Sequence, residues 1–316
     1  MKRTGTFFHY QDGERLQDFP QALEGILDKD NVFLYDAFYP SKPPSSFDLE
    51  PLPVQALYQV HATDMVERVR RSAAFDGALF SVAGTVAAAI RIWSGEIDNA
   101  FAFTGYGDHH AGSNFFGGGC YFNGTAVAIA ELRNRFTARR FAVVDTDAHH
   151  GNGTWELFEA DPDVLYVCFC SGHFEEKNNK VNVPVPWKVS DEEYLGLVRE
   201  GFIKRAKPFA PEAIFWNWGY DGTQGEYGDI GLTPDIHARL AMVLKQTADE
   251  VCQGRLIVIL CGGRRRDLAR RLIPRLIRVL AGEGAPPILS APTRGNGETR
   301  DVDDSPRLNT IRPNAL

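Results

Sequence analysis

FAVVDTDAHHGNGTWELF, running from Phe141 to Phe158, decides how the rest of the chain is read. Phe141-Ala-Val-Val144 is a short apolar run of the kind that forms a fully buried strand. It stops abruptly at Asp145-Thr-Asp147-Ala-His149-His150, passes through Gly151-Asn152-Gly153, and enters a helical pattern carried by Trp155, Leu157 and Phe158. Strand, polar turn and helix make the unit in which α/β proteins place chemistry at the carboxyl end of a strand. Two carboxylates and two imidazoles within one short turn are more ionisable groups than a turn needs. Asp147 and His149 stand two apart, so an extended segment points both side chains to one face. One oxygen and one nitrogen donor on that face suit a borderline metal such as zinc. A simple helix cap accounts for one polar residue or two, and leaves the rest of the cluster unexplained.

Composition sets the outer limits. The chain has 316 residues, 44% hydrophobic and 24% charged, with a mean hydropathy of −0.25. Those values describe an ordinary globular protein with room for one large α/β domain or two smaller ones. A net charge of −7 and a pI near 5.7 give no electrostatic reason to expect nucleic acid or an anionic membrane as partner. Cys120, Cys168, Cys170, Cys252 and Cys261 lie mostly in apolar runs without CxxC spacing, which reads as reduced thiols in a cytoplasmic protein. No apolar run approaches the ~20 residues of a membrane span.

Outward from the central stretch, the same alternation repeats. Thr4 to His9 reads as a strand and Phe19 to Leu27 as a short helix; Tyr39 to Pro53 is a Pro- and Ser-rich loop. Helical patterns follow over Ala62 to Ala74 and Ala83 to Trp93, then a strand over Asn99 to Thr104 ending near His109-His110, and a helix over Asn123 to Arg133. After the central stretch come a strand from Asp163 to Cys170, and a helix within Lys188 to Lys204 that opens on a capping box at Ser190. A strand over Glu212 to Trp216 leads to Asp221, and Ile236 to Cys252 is helical. A strand over Arg255 to Leu260 runs into Gly262-Gly263-Arg264. The last helix, Arg266 to Leu280, contains Pro274, which should end or kink it. Residues 282–316 hold few large apolar groups, so a domain over 1–281 with an extended or disordered tail over 282–316 is expected.

Strands apolar on both faces and alternating with helices imply a mainly parallel sheet covered on each side. In such a sheet the carboxyl ends share one edge. His109/His110, Asp145 to His149, Asp221 and Gly262-Gly263-Arg264 can therefore converge on one site.

With those residues in place the chain resembles the zinc-dependent histone deacetylase superfamily, including bacterial histone-deacetylase-like amidohydrolases and acetylpolyamine amidohydrolases. The likeness spans most of Leu57 to Gly282. It rests on His109-His110-Ala, Cys120-Tyr-Phe-Asn123, Asp145-x-Asp147-x-His149-His150-Gly-Asn152-Gly, Asn182-Val-Pro-Val-Pro, Gly219-Tyr-Asp221 and Gly262-Gly263. It implies a single α/β domain around an eight-stranded, mainly parallel sheet with helices on both faces, the arginase-deacetylase fold.

The resemblance further implies that Asp147, His149 and Asp221 hold one Zn2+, with a monovalent cation such as K+ beneath it. It implies that His109 and His110 act as general base and acid, that Asp145 hydrogen-bonds His109, and that Asn152 stands behind His110. An aspartate partner raises an imidazole's basicity and an amide does not, so the two histidines need not be equivalent. His150 is expected to support the turn, and His9, His61 and His237 to be ordinary core or surface residues. Gly119, Gly219 and Phe174 are expected beside the substrate. The departures are equally specific. Arg264 stands where the family places a tyrosine whose hydroxyl donates to the developing oxyanion; because Gly262-Gly263 leaves the turn without side chains, Arg264 is the first that can project towards the metal and is expected to fix a negative charge there. Gly118-Gly119-Cys120 replaces Gly-Phe-Cys, so one tunnel aromatic is gone, and a wider, more polar tunnel is expected.

The resulting expectation is a zinc-dependent amidohydrolase cleaving an acyl amide of a small, anionic substrate, with an acylated amine as partner, neither nucleic acid nor membrane, and self-association left open. Two alternatives stand beside it: an impaired zinc-binding homologue serving as a binding module, and an arginase-like dinuclear enzyme. The latter needs a carboxylate where this chain has Gly151.

Overall fold

The structure is a computed structural model that describes residues 2–8, 31–36, 46–47, 49, 52–103 and 106–284. Among these, ten strands form one sheet: β1 Thr4–Phe8, β2 Val32–Asp36, β3 Ser46–Phe47, β4 Asn99–Phe103, β5 Phe141–Asp145, β6 Val164–Cys170, β7 Glu175–Lys177, β8 Lys180–Pro184, β9 Ala213–Trp218 and β10 Leu256–Leu260. Their spatial order is β3-β2-β1-β4-β10-β9-β5-β6-β8-β7. Every neighbouring pair is parallel except β7 with β8. The fold class expected from the alternating pattern is therefore present, with more strands than eight. The short edge strands β3 and β7 carry no apolar pattern that would have marked them.

The period of two along each strand divides the interior into two cores. Phe141 and Val143 of β5, Phe215 of β9 and Ile257 and Ile259 of β10 face one side. Ala142 and Val144, Ile214 and Trp216, and Leu256 and Val258 face the other. The first core is covered by α1 Thr63–Arg70, α2 Phe75–Trp93 and α3 Gly124–Arg135. The second lies beneath α5 Asp191–Val198, α7 Asp235–Cys252 and α8 Arg266–Leu280. Between the two sets in sequence comes α4, Asn152–Phe158. All five residues of β5 are buried. Each large apolar side chain there contributes roughly 1.5–3 kcal/mol relative to exposure, and this makes the central strands the rigid part of the molecule.

Several local expectations are revised. The helix expected over Ala83 to Trp93 begins at Phe75, because Ala78 and Val82 extend its buried stripe by two turns. At 19 residues with a mean hydropathy of 1.4 it is long and apolar enough to cross a membrane, contrary to the reading that nothing approaches such a span. Here it packs between strands β1 and β4 and helix α3 as a core helix. The capping box at Ser190 and Glu193 is formed, but α5 ends at Val198 and passes through a wide turn, Arg199–Ile203, into α6, Lys204–Phe209. Pro274 does not end α8. Burial of Leu268, Leu272, Ile273, Leu276, Ile277 and Leu280 outweighs the ~3 kcal/mol that an interior proline costs. The expected helix Phe19–Leu27, most of the loop 39–53 and the tail from residue 285 onward lie outside the described residues.

Register is what brings the chemistry together. Asp145 pairs with Asn217 and Trp218 with Leu260, so β5, β9 and β10 end level with one another. β4 joins the same edge through Ala102 beside Ile259.

Candidate active site

Asp147 and His149 occupy the turn after β5, and Asp221 the turn after β9. Asp147 and Asp221 are buried, whereas His149 is partly open to solvent. Asp147 Oδ1 accepts the backbone N–H of His149 at 2.9 Å. The His149 Nδ1 atom lies 3.1 Å from Asp147 Oδ1 and 2.9 Å from Asp221 Oδ2. Donor atoms of the three residues all fall within 4.8 Å of one another. Asp147 Oδ2 is buried without a hydrogen bond from any described residue, and Asp221 Oδ2 is buried with the His149 imidazole as its polar neighbour, an expensive arrangement for carboxylate oxygens.

Electrostatics point the same way. Burial, and then the charge of Asp147, push Asp221 up to about 7. Against burial, which alone would raise it, His109 and His149 hold Asp147 well below the usual carboxylate range. Two buried carboxylates are thus forced against one another around a single imidazole, and one dication among the three donors would relieve that repulsion. Space is kept beside them: a Cβ on Gly262 would strike Asp147 Oδ2 and stand 2.8 Å from Asp221 Cγ. Two oxygens and one nitrogen beside an open cavity suit a catalytic zinc site, which keeps one position free of protein ligands.

His109 and His110 lie beside this trio with ring centroids 4.1 Å apart. Their second shells differ. His109 Nδ1 meets Asp145 Oδ2 at 2.9 Å, and His110 Nδ1 meets Asn152 Oδ1 at 2.7 Å. Both oxygens are acceptors, so Nδ1 carries the hydrogen and Nε2 is the remaining nitrogen. Burial alone would lower His109, but Asp145 and Asp147 carry it up to about 10. Burial and the neighbouring His109 push His110 down. Asp145 is itself fixed by the Tyr166 hydroxyl, which donates to Oδ2 at 2.8 Å, and by Asp147 N–H, 3.2 Å from Oδ1.

These groups open into a cavity of about 120 Å³ whose wall includes His109, His110, Asp147, His149 and Gly262. A larger cavity of about 500 Å³, beside Gln59, Ile129 and Phe158, holds none of these donors. Of the residues expected beside substrate, Gly119 is exposed and sits between two residues of the wall, Gly118 and Cys120. Gly219 lies behind the wall, where a Cβ would meet Asp221 Oδ1 at 2.5 Å. It gives the carboxylates room and does not face the cavity. Phe174 is 55% exposed and outside the wall. Arg264 is likewise exposed and outside it, its backbone N–H held by Glu226 Oε1 at 3.0 Å. His61 and His237 are core residues: His61 bridges Gly112 O and Asn123 N, and His237 Nδ1 accepts the Trp218 indole N–H. His9 lies outside the described residues.

Sequence reasoning missed one member of the wall. Tyr227 stacks on His149 at 5.5 Å with the rings 27° apart. Its hydroxyl oxygen accepts the N–H of Gly263 at 3.2 Å. A phenol therefore stands one residue from the position that Arg264 occupies in sequence. The only local signal was the turn-forming Gly225-Glu-Tyr-Gly228, which says nothing of direction.

Comparison with known proteins adds the following. Residues 41–280 match the histone deacetylase domain family. Histone deacetylase 15 of Arabidopsis thaliana is 30% identical over 210 residues, covering 61% of this chain and 37% of that protein. A probable deacetylase of Archaeoglobus fulgidus is 31% identical over 203 residues, 60% of this chain and 56% of its own length. The chain thus spans little more than half, and often far less, of the curated relatives it matches. The crystal structure of the HDA15 HD domain superposes with a TM-score of 0.75 at 22% identity, covering 90% of each chain, a likeness of fold.

Proposed function

The chain belongs to the histone deacetylase domain family, and from that premise we propose that it is a zinc-dependent amide hydrolase of the deacetylase type. The observation that carries this reading is the convergence of Asp147, His149 and Asp221 with two differently partnered histidines on one small cavity. Zinc held by those three residues would polarise an amide carbonyl and make water nucleophilic near neutral pH.

The rest falls to the protein's own side chains. His109 and His110 present Nε2 while their Nδ1 protons are tied to Asp145 and Asn152. A histidine backed by a carboxylate holds a proton more strongly than one backed by an amide. His110, pushed down, takes the proton from the attacking water at Nε2. His109, pushed up, is the one that arrives protonated and delivers a proton to the departing amine, which reverses the order of base and acid that the resemblance implies. Tyr227 donates its hydroxyl hydrogen to the substrate oxygen as negative charge develops there, the work that a side chain at Arg264 does not do from its exposed position.

The size of the cavity supports a small acyl group. About 120 Å³ falls well short of the ~300–1,000 Å³ of pockets for drug-sized ligands. Arg264 stands exposed two residues from the wall residue Gly262, where it would meet an anionic portion of a substrate that extends beyond the cavity.

The arginase-like alternative meets a steric obstacle. A Cβ at Gly151 would strike the Tyr166 hydroxyl and stand 2.5 Å from Asp145 Oδ2, which leaves no room there for another carboxylate. The impaired-homologue reading draws on the exposed Arg264. One experiment separates it from an enzyme: metal content of purified protein, paired with a screen of acetylated, formylated and anionic acylated amines. About one catalytic zinc per chain with turnover of a small acyl amide supports the proposal. Zinc with no turnover on any of them supports the binding module, and Asp221→Ala retaining its full zinc overturns the ligand assignment.

A further inference from the structure

His149 and His150 are consecutive and serve opposite sides of their turn. While His149 faces Asp147 and Asp221, His150 turns towards β6, where Cys168 and Cys170 project on one face of the strand. The two Sγ atoms are 3.0 Å apart, Cys170 Sγ is 3.5 Å from His150 Nδ1, and the three donor atoms all lie within 4.8 Å of one another. Asn182, across from Cys168 on β8, points its Oδ1 at Cys170 Sγ from 2.9 Å. Both cysteines are buried, and His150 is half-buried.

We propose that His150, Cys168 and Cys170 form a second metal site, specific for a thiophilic dication such as Zn2+, with the Asn182 amide oxygen beside it.

Three arguments carry this. The first is geometric. Zinc bound tetrahedrally at ordinary Zn–S and Zn–N lengths sets S···N at about 3.6 Å and S···S at about 3.8 Å. The S···N distance from Cys170 is already there, the Cys168 sulfur lies within 4.8 Å of the same imidazole, and the sulfurs need to separate by less than an ångström, a small change of side-chain torsion. The second is electrostatic. Two thiolates and a neutral imidazole around a dication make a neutral assembly, which a buried site accepts without a further counter-ion. Loading balances as M2+ plus two thiols giving the dithiolate complex and two protons released to solvent. The third is the donor type. The Asp147–His149–Asp221 set offers hard oxygens with one nitrogen, whereas this set offers two sulfurs with one nitrogen, so the two sites sort metals by softness. A metal here ties β6 to the turn that carries His149, since Cys168 Sγ also lies 3.9 Å from the His149 carbonyl oxygen.

Cobalt titration of the full chain, stripped of metal by chelation, tests the proposal, because thiolate ligation gives an intense charge-transfer absorption that carboxylate and imidazole ligation does not. Wild type should take up about two equivalents of Co2+, one of them with the thiolate band. Cys168→Ser and Cys170→Ser should each lose the band and about one equivalent, while Asp221→Ala loses the other equivalent and keeps the band. Uptake without any thiolate band, or a band that survives both serine variants, overturns the site. A second measurement uses the wild-type chain alone, so that folding of a variant is not at issue. Zn2+ should slow alkylation of Cys168 and Cys170 by at least about tenfold while leaving Cys252 unchanged. Equal rates for the two thiols with and without Zn2+ also overturn it.

Discussion

Tyr227→Phe removes one oxygen atom and nothing else. The ring that stacks on His149 at 5.5 Å stays, and so does the cavity wall. The effect on folding is bounded by the structure. The hydroxyl accepts one long hydrogen bond, 3.2 Å from Gly263 N, on a residue that is 57% exposed. A bond of that kind contributes at most about 0.5–1.5 kcal/mol, a shift of a few degrees in Tm. The effect on turnover is of another order if the hydroxyl meets charge only in the transition state. Loss of one such donor lowers kcat by about 10²–10³, or ~2.7–4 kcal/mol. The assay is steady-state hydrolysis of an acyl amide by enzyme of matched zinc content, reporting kcat and KM separately. The expected result is a fall in kcat with little change in KM, because the donor is used in the transition state and adds little to ground-state binding. A fall in kcat below about threefold, or a loss lying wholly in KM, refutes the assignment.

His110→Ala should keep its zinc and lose ~10²–10⁴-fold in kcat; unchanged hydrolysis removes the histidine pair from the mechanism. Arg264→Tyr in the wild-type background should raise activity on a neutral acetyl amide and lower it on an anionic one, so equal changes on both would show that the guanidinium does not select charge. Stability should fall as the medium is acidified, and His237 supplies part of that slope. Burial first, then the Arg275 charge, lowers it from 6.5 to about 3 in the folded chain. Between those values the unfolded chain binds a proton that the folded chain refuses, so stability rises with pH through this window and is lost as pH falls from 6.5 towards 3. One proton amounts to about 1.4 kcal/mol per pH unit at most. Urea midpoints measured from pH 7.5 down to about 5 should flatten in His237→Gln, and an unaltered slope would assign the dependence elsewhere.

What could be read in advance follows from where the information sits. Asp145, Asp147 and His149 were legible because a strand end forces them into fixed relative positions: alternation along the chain gives direction, and the level ends of β5 and β9 bring Asp221 to them. The pairing of Asn152 with His110 was implied by the family resemblance alone, because alternation along a strand does not pair the start of α4 with the turn after β4. Edge strands β3 and β7 were silent because two or three residues are too few to carry a period. Tyr227 was silent for a different reason. It belongs to the long connection between β9 and α7, whose path is set by contacts distant in sequence: Glu226 reaching the N–H groups of Arg264 and Arg265, and Gly228 packed so closely that a Cβ there would stand 2.9 Å from Ala148 Cβ and Asp221 Oδ2. No local pattern predicts which way such a loop turns Tyr227. The expectation attached to Arg264 failed in placement for the matching reason. Gly262-Gly263 was read as a turn that aims the next side chain inward, yet Glu226 takes the backbone N–H of Arg264 and the side chain goes to solvent. One buried carboxylate, at Glu226, thus moves the guanidinium away from the cavity while the adjacent Tyr227 takes a place on its wall. Glu226→Ala should therefore change two things together: it leaves the start of α8 without its acceptor, at a cost of about 0.5–2 kcal/mol by analogy with lost caps, and it loosens the Tyr227 ring from His149. If hydrolysis survives Glu226→Ala intact while Tyr227→Phe abolishes it, the loop holds its tyrosine without that carboxylate, and the coupling argued here is wrong.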